Sequence, residues 1–262
     1  MITPVEQVLA DKTINLNSPV PYYAQVKEAL KACLNSGEFK PGDQLPGEAD
    51  LCALFKVSRT VIRQALDELE YDGLILRRKG KGTFVAEPKI VESLAQKLTG
   101  FYQDMSAQGF PPVSRILKQA QAQANPKVAA LLGLAPASPV VEIERLRFVN
   151  HEPLVLVTTY LPFALCRELL AMDLSRQSLY AILEGQLGLV IARGHRYLEA
   201  VPASPYEANL LQVEAGSPLM LLDSVSYLEN GTPLEYYHAL HRGDRSRFEA
   251  ELIRVREPHL QK

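Results

Sequence analysis

The stretch from Ser58 to Phe84 constrains this chain more than any other. It reads Ser58-Arg59-Thr60-Val61-Ile62-Arg63-Gln64-Ala65-Leu66, then Gly73-Leu74-Ile75-Leu76-Arg77-Arg78-Lys79-Gly80-Lys81-Gly82-Thr83-Phe84. Ser58 suits the position before a helix, where its hydroxyl accepts from a free N–H of the first turn. Ile62, Ala65, Leu66 and Leu69 recur at helical spacing and predict a buried face. Arg59, Thr60, Arg63 and Gln64 fall outside that stripe, near the N-terminal end. Leu74 to Val85 is strand-like, and Gly80 and Gly82 lie near its turn, which predicts a basic β-hairpin.

A second helix, Glu48 to Phe55, precedes this one and presents Leu51, Leu54 and Phe55. The short turn Lys56-Val57 joins the two, so the pair reads as a helix-turn-helix unit. Such a unit places the N-terminal residues of its second helix against base edges. Arg pairs bidentately with guanine and Gln with adenine, which makes Ser58, Arg59, Thr60, Arg63 and Gln64 candidate contacts to double-stranded DNA. Arg78, Lys79, Gly80 and Lys81 form a charged wing for the DNA backbone or minor groove. Asp67, Glu68, Glu70 and Asp72 lie later on the helix, and phosphates would repel them. They are expected to point away from the duplex. Taken alone, arginines on an amphipathic helix are more often a solvated face, and a charged hairpin more often serves solubility. The DNA reading rests on the two occurring side by side.

At 262 residues the chain can hold two modest domains, each with its own core. The formal net charge is -2, so the chain is not a generally basic nucleic-acid binder. Its basic character is local, at Arg77, Arg78, Lys79 and Lys81, and phosphate contacts need no more than that. Cys33, Cys52 and Cys166 are far apart and form no metal-ligand pattern, and no disulfide framework is implied. This usage suits a reducing cytoplasm. No signal peptide and no apolar run long enough to span a membrane is seen. Residues 1–18 read as an N-terminal extension without a clear role.

The first domain is expected over 19–86. Glu87-Pro88-Lys89 breaks the strand and opens a linker over 87–93. A second domain, over 94–258, has strands near Arg115 to Ala122, Val140 to Val149 and Leu154 to Leu161. Further strands are expected at Ile191 to Val201, Pro218 to Leu228 and Pro233 to Arg242, with a last one at Glu251 to Val255. Helices fall at Lys127 to Leu132, Ser178 to Leu187 and Pro205 to Leu211. Asn230-Gly231 is a strong hairpin signal. Hairpins with interspersed helices and no regular β-α-β repeat predict an antiparallel α+β domain. No arrangement for nucleophilic catalysis, no nucleotide-binding glycine loop and no metal site stands out, so neither a cofactor nor an enzyme activity is expected.

Two resemblances add to this reading. Pro21-Tyr22-Tyr23-Ala24-Gln25-Val26-Lys27, Gly37-Glu38-Phe39-Lys40-Pro41-Gly42-Asp43-Gln44-Leu45-Pro46, Ser58 to Leu66 and Gly80 to Val85 together resemble the winged helix-turn-helix domain of GntR-type transcriptional regulators. The family resemblance implies DNA contact by Ser58, Arg59, Thr60, Arg63 and Gly80. The chain departs from the family pattern at Lys56, where Gly is frequent, and at Ala49, where an Arg used on DNA is frequent. Ile143-Glu144-Arg145-Leu146-Arg147, Tyr160-Leu161-Pro162, Ser178-Leu179-Tyr180, Gly216-Ser217-Pro218-Leu219, Gly231-Thr232-Pro233-Leu234-Glu235-Tyr236 and Arg242-Gly243-Asp244-Arg245 resemble the UTRA effector domain of the HutC subfamily. That domain has a chorismate-lyase-like fold.

The second resemblance implies a small-molecule effector, of which a sugar phosphate or another anionic metabolite is one class. By position it assigns Arg145, Arg147, Glu235 and His241 to the pocket, with Tyr160 and Tyr237 nearby. Thr99, before Gly100-Phe101, is a further candidate from the segment entering the pocket. His241 departs from the Tyr common there. The family further implies a homodimeric repressor on a pseudo-palindromic operator, released when effector binds. The rival is a chorismate-lyase-like enzyme domain fused to a DNA-binding domain.

Overall fold

The computed structural model describes residues 14–15, 17–37, 39–78, 80–93 and 98–251. The chain divides into two compact units, Met1–Lys89 and Ile90–Lys262.

In the first unit, α1 (Tyr22–Asn35), α2 (Glu48–Phe55) and α3 (Arg59–Tyr71) precede the strands β1 (Ile75–Arg78) and β2 (Gly82–Val85). Val26 and Leu30 of α1, Leu51 and Phe55 of α2, and Ile62, Ala65, Leu66 and Leu69 of α3 share one core with Ile75 and Val85. The helical spacing of those apolar residues thus becomes one packed face on each helix. β1 and β2 pair antiparallel, with Arg78 opposite Gly82. The loop before α2 adds to this hairpin, because Leu45 N–H donates to Thr83 O (2.8 Å) and Val85 N–H to Asp43 O (2.8 Å).

The turn between α2 and α3 passes through Lys56, which is left-handed at φ 53°, ψ 41°. Such a conformation costs an L-residue with a Cβ roughly 1–2 kcal/mol. Ser58 then caps α3, its hydroxyl accepting from Val61 N–H at 3.4 Å.

The second unit is built on a six-stranded antiparallel sheet in the order β4-β5-β6-β9-β8-β7. Its strands are β4 (Val113–Gln123), β5 (Pro139–Val149), β6 (Glu152–Pro162), β7 (Ile191–Pro202), β8 (Pro218–Leu228) and β9 (Pro233–Arg242). The helices are α4 (Phe101–Ala107), α5 (Pro126–Leu132), α6 (Phe163–Cys166), α7 (Leu179–Gly185) and α8 (Pro205–Leu211), with a 3-10 turn over Arg167–Ala171. The expected strands and helices between residues 113 and 242 are all present. The strand expected over Glu251 to Val255 lies outside the described residues, apart from Glu251 itself, which is not in a strand.

One expectation is corrected. Within the segment 87–93, read as a linker, Ile90–Glu92 form β3, which pairs in parallel with β10 (Ser246–Phe248). Ile90 and Glu92 are buried there. Three residues after Pro88-Lys89 carry too little pattern to be read as a strand, and their partner is remote in sequence.

Candidate functional sites

The first site is the outer end of α3. Ser58, Arg59, Thr60, Arg63 and Gln64 are all exposed, as the helical stripe requires. Arg78, Gly80 and Lys81 are exposed on the hairpin beside it, and Lys79 lies outside the described residues. Arg78 also covers the Phe84 ring, at 5.3 Å from its centroid. Gly80 has φ +72° at the hairpin tip, and nothing lies within 4 Å of where a Cβ would stand.

The acidic residues of α3 are turned elsewhere. Glu68 and Asp72 each lie 3.0 Å from Lys27 Nζ on α1. Asp67 accepts from Arg77 at 2.7 Å, and Glu70 accepts from the Arg77 backbone N–H at 2.9 Å. The surface around Arg59 and Arg63 is therefore left predominantly basic. One residue there was missed in the sequence. Glu48, in the first turn of α2, reaches Arg63 Nε with both carboxylate oxygens, at 3.1 and 3.0 Å. The same carboxylate stands 3.6 Å from Arg59 Nε.

The second site is a cavity on one face of the six-stranded sheet. It encloses about 510 Å³, its mouth included, and Thr99, Arg145, Arg147, Glu235, Tyr237 and His241 all line it. The pairing explains why they meet. Arg145 lies opposite Val157 and Arg147 opposite Val155, while Val157 faces Ala239 and Val155 faces His241. Directly opposed residues of antiparallel strands project to one face. Arg145, Arg147, Val155, Val157, Thr159, Glu235, Tyr237, Ala239 and His241 accordingly form one continuous wall. Thr99, Gly100 and the start of α4 close it, with Ser178, Leu179 and Tyr180 from the entry of α7.

Tyr160 is not in this wall. Its hydroxyl donates to Glu142 Oε1 at 3.3 Å, and its ring stacks on Tyr236 with centroids 6.0 Å apart. A register shift between Arg147 and Phe148 is the cause. An unbroken hairpin would place Tyr160 opposite Val141, on the arginine face. The bulge moves it opposite Glu142 and sends Thr159 into the cavity instead.

The electrostatics of the cavity are unbalanced. Arg145 and Arg147 are buried, and the Nε of each has no hydrogen-bond partner. Burial lowers both guanidinium pKa values, that of Arg145 far and that of Arg147 to about 10. Arg147 lies 5.0 Å from the Phe101 ring centroid. Glu235 is the facing carboxylate. Its Oε2 accepts from Tyr180 Oη at 2.8 Å and Ser226 Oγ at 3.3 Å. Burial raises the pKa of Glu235, against the opposing pull of the Tyr180 hydrogen bond and of Arg145. Burial also pushes the Tyr237 hydroxyl up to about 12. Thr99 Oγ1 is buried without a partner as well. The cavity is thus lined by two guanidiniums with unpartnered Nε atoms, an unpartnered Thr99 hydroxyl and the Glu235 carboxylate, and Glu92 also acts on Arg147.

His241 adds a link from the cavity to β3. Its Nδ1 stands 3.0 Å from one Glu92 oxygen and 2.9 Å from the other. A single N–H satisfies one of them, and Glu92 Oε2 is left without a hydrogen-bond donor. Ser93 follows, its N–H donating to Asp104 Oδ2 of α4 at 2.9 Å. Sequence reasoning missed Glu92, which lay in the expected linker.

Comparison with known proteins agrees with this architecture. Residues 22–85 match the family described as bacterial regulatory proteins, gntR family, and residues 107–247 match the UTRA domain. The HTH-type transcriptional repressor NagR of Bacillus subtilis is 37% identical over 235 residues, covering 90% of this chain and 96% of that protein. The histidine utilization repressor of Pseudomonas aeruginosa is 31% identical over 231 residues, covering 88% of this chain and 91% of that one. The crystal structure of PhnF from Mycobacterium smegmatis superposes with a TM-score of 0.63 at 31% identity, covering 87% of this chain and 99% of that one. A helix-turn-helix with a hairpin beside it in one unit and a walled cavity in the other are thus the two halves of one kind of molecule, and the chain belongs to the GntR family of transcriptional regulators, in the HutC subfamily that carries a UTRA domain.

Proposed function

We propose that this regulator is a repressor whose operator affinity falls when a small anionic metabolite enters the UTRA cavity. The observation that carries this reading is the pair Arg145 and Arg147, buried in the cavity wall with both Nε atoms unpartnered. A guanidinium offers a planar fork of donors that fits phosphate or carboxylate, and an unpaired buried charge is costly until such a partner arrives. Glu235, with Oε2 already engaged, suits hydroxyl or amine donors on the same ligand. The aromatic rings of Phe101, Tyr180 and Tyr237 suit its apolar faces.

In this reading Ser58, Arg59, Thr60, Arg63 and Gln64 read bases, and Arg78, Lys79, Gly80 and Lys81 hold the backbone or minor groove. A homodimer would present two such heads to a pseudo-palindromic operator, since two-fold protein symmetry matches two half-sites. Relatives support repression, as in the transcriptional repressor NagR and the histidine utilization repressor. The chain acts in the cytoplasm and is not an enzyme. Among its described residues no helix is long and apolar enough to cross a membrane. Release requires a ligand with different affinity for the DNA-bound and free arrangements.

The test is a thermal-shift screen of the full chain against sugar phosphates, amino sugars and small carboxylates, followed by operator release with each hit. A ligand at a hundred times its dissociation constant adds roughly 2.7 kcal/mol to native stability. Hits that leave operator affinity unchanged would refute release, and a screen without any anionic hit would refute the arginine site.

A further inference from the structure

We infer that Glu48 is a positioning residue for DNA reading: its carboxylate holds Arg63 by the Nε edge, stands beside Arg59, and so determines which base the two arginines select. The inference rests on α3 being the base-reading helix.

Three observations carry it. Arg59 and Arg63 are four residues apart on α3, hence neighbours on one helical face, and one carboxylate from α2 stands between them. Asp50, not Glu48, closes the start of α2, because its carboxylate accepts from Gly47 N–H at 3.2 Å. Glu48 is therefore free to reach across the turn. The contact to Arg63 uses Nε alone, at 3.0 and 3.1 Å. A guanidinium held by Nε keeps its Nη edge for a second partner, and that edge is the one a guanine can take bidentately through O6 and N7. The Arg63 backbone carbonyl is fixed too, by Arg77 Nη2 at 3.2 Å.

The pair is not a stability device. Both arginine side chains are about 60% exposed, at 62% and 60%, and exposed ion pairs contribute little to folding. Glu48 also halves the local positive charge that the two arginines would offer a phosphate. Sequence-independent binding rises with each phosphate neutralised, so a carboxylate at this point lowers indiscriminate binding while it orients the selective groups. Both effects raise the ratio of specific to non-specific affinity.

The test uses the full chain as wild type, Glu48→Gln and Glu48→Ala. Each protein selects from a random duplex library at fixed salt, and each is titrated with mixed-sequence DNA. The expected result is a sharp motif for wild type, with its guanine positions degraded in Glu48→Ala and partly kept in Glu48→Gln. The ratio of specific to non-specific affinity should fall roughly 10-fold in Glu48→Ala. Thermal midpoints of Glu48→Gln and wild type should agree closely, so loss of selectivity there is not misfolding. An unchanged motif and ratio in both variants would overturn the inference, as would equal gains in specific and non-specific affinity, which mean bare charge and no positioning. A wild type that selects no motif would overturn the DNA reading itself.

Discussion

His241 Nδ1 and the carboxylate of Glu92 meet at 2.9 to 3.0 Å, joining the wall of the cavity to the first strand of its unit. Both side chains are sealed from solvent, at 2% and 0% exposure. Removing one partner of a buried hydrogen bond costs about 1–3 kcal/mol, because the other is left buried and unsatisfied. Glu92→Ala is expected to show a loss of that size in denaturant unfolding, and Glu92→Gln, which keeps an acceptor, a smaller one. Equal and negligible losses in both would mean that the contact does not form in solution.

Arg145 and Arg147 lead to a prediction of opposite sign. Replacing buried, poorly paired charges with apolar groups of similar volume is often neutral or stabilising by about 1–4 kcal/mol. Arg145→Met should therefore raise the thermal midpoint of the ligand-free protein while removing its response to anionic compounds. A fall in midpoint together with an intact response would contradict the assignment.

The same burial sets a pH dependence. Arg147 is held at about 10, below its ordinary value. Between those values the unfolded chain binds more protons than the folded one, so the contribution of this group to stability rises with pH across that window. Anion binding needs the charged guanidinium and should weaken over the same range. Titrating ligand affinity from pH 8 towards about 10.5 checks the second effect, and Arg147→Met should flatten it.

Much of the second unit was legible because antiparallel strands write their burial as alternation and their turns as residue type. Gly231, at φ +85° in the turn after Leu228, is one such mark. The exposed end of α3 was legible for the same reason, through helical spacing from Ile62 to Leu69. What stayed hidden depended on register or on distance in sequence. Tyr160 was placed near the arginines, and a single bulge between Arg147 and Phe148 moves it to the opposite face. Glu92 sat in an apparent linker because its partners, His241 and β10, come from the far end of the chain. Glu48 was counted as a helix start, since nothing in one dimension shows it crossing to α3.

Lys56 offers a check on backbone strain. It is left-handed at φ 53°, a conformation Gly adopts without steric cost. Lys56→Gly is expected to stabilise the N-terminal unit by about 1 kcal/mol and to lower the salt dependence of DNA binding, because one cation near the phosphates is lost. A destabilised variant would show that the lysine side chain makes a compensating contact.

The wing and the helix should separate in their salt behaviour. Arg59→Ala with Arg63→Ala is expected to abolish sequence preference with folding intact. Lys79→Ala with Lys81→Ala should weaken binding to all sequences and flatten the salt slope. Normal operator affinity in the first pair would remove α3 from the interface.

The parallel pairing of β3 with β10 also bears on how the chain is made. Ile90 cannot find Ser246 until almost all of the second unit has been synthesised, and contacts so remote in sequence form late. Among the described residues the N-terminal unit draws its core from residues 14 to 85, and domains fold as units in order of synthesis. A ribosome-bound chain thus carries a finished helix-turn-helix unit well before the second unit has joined its first strand to its last described one.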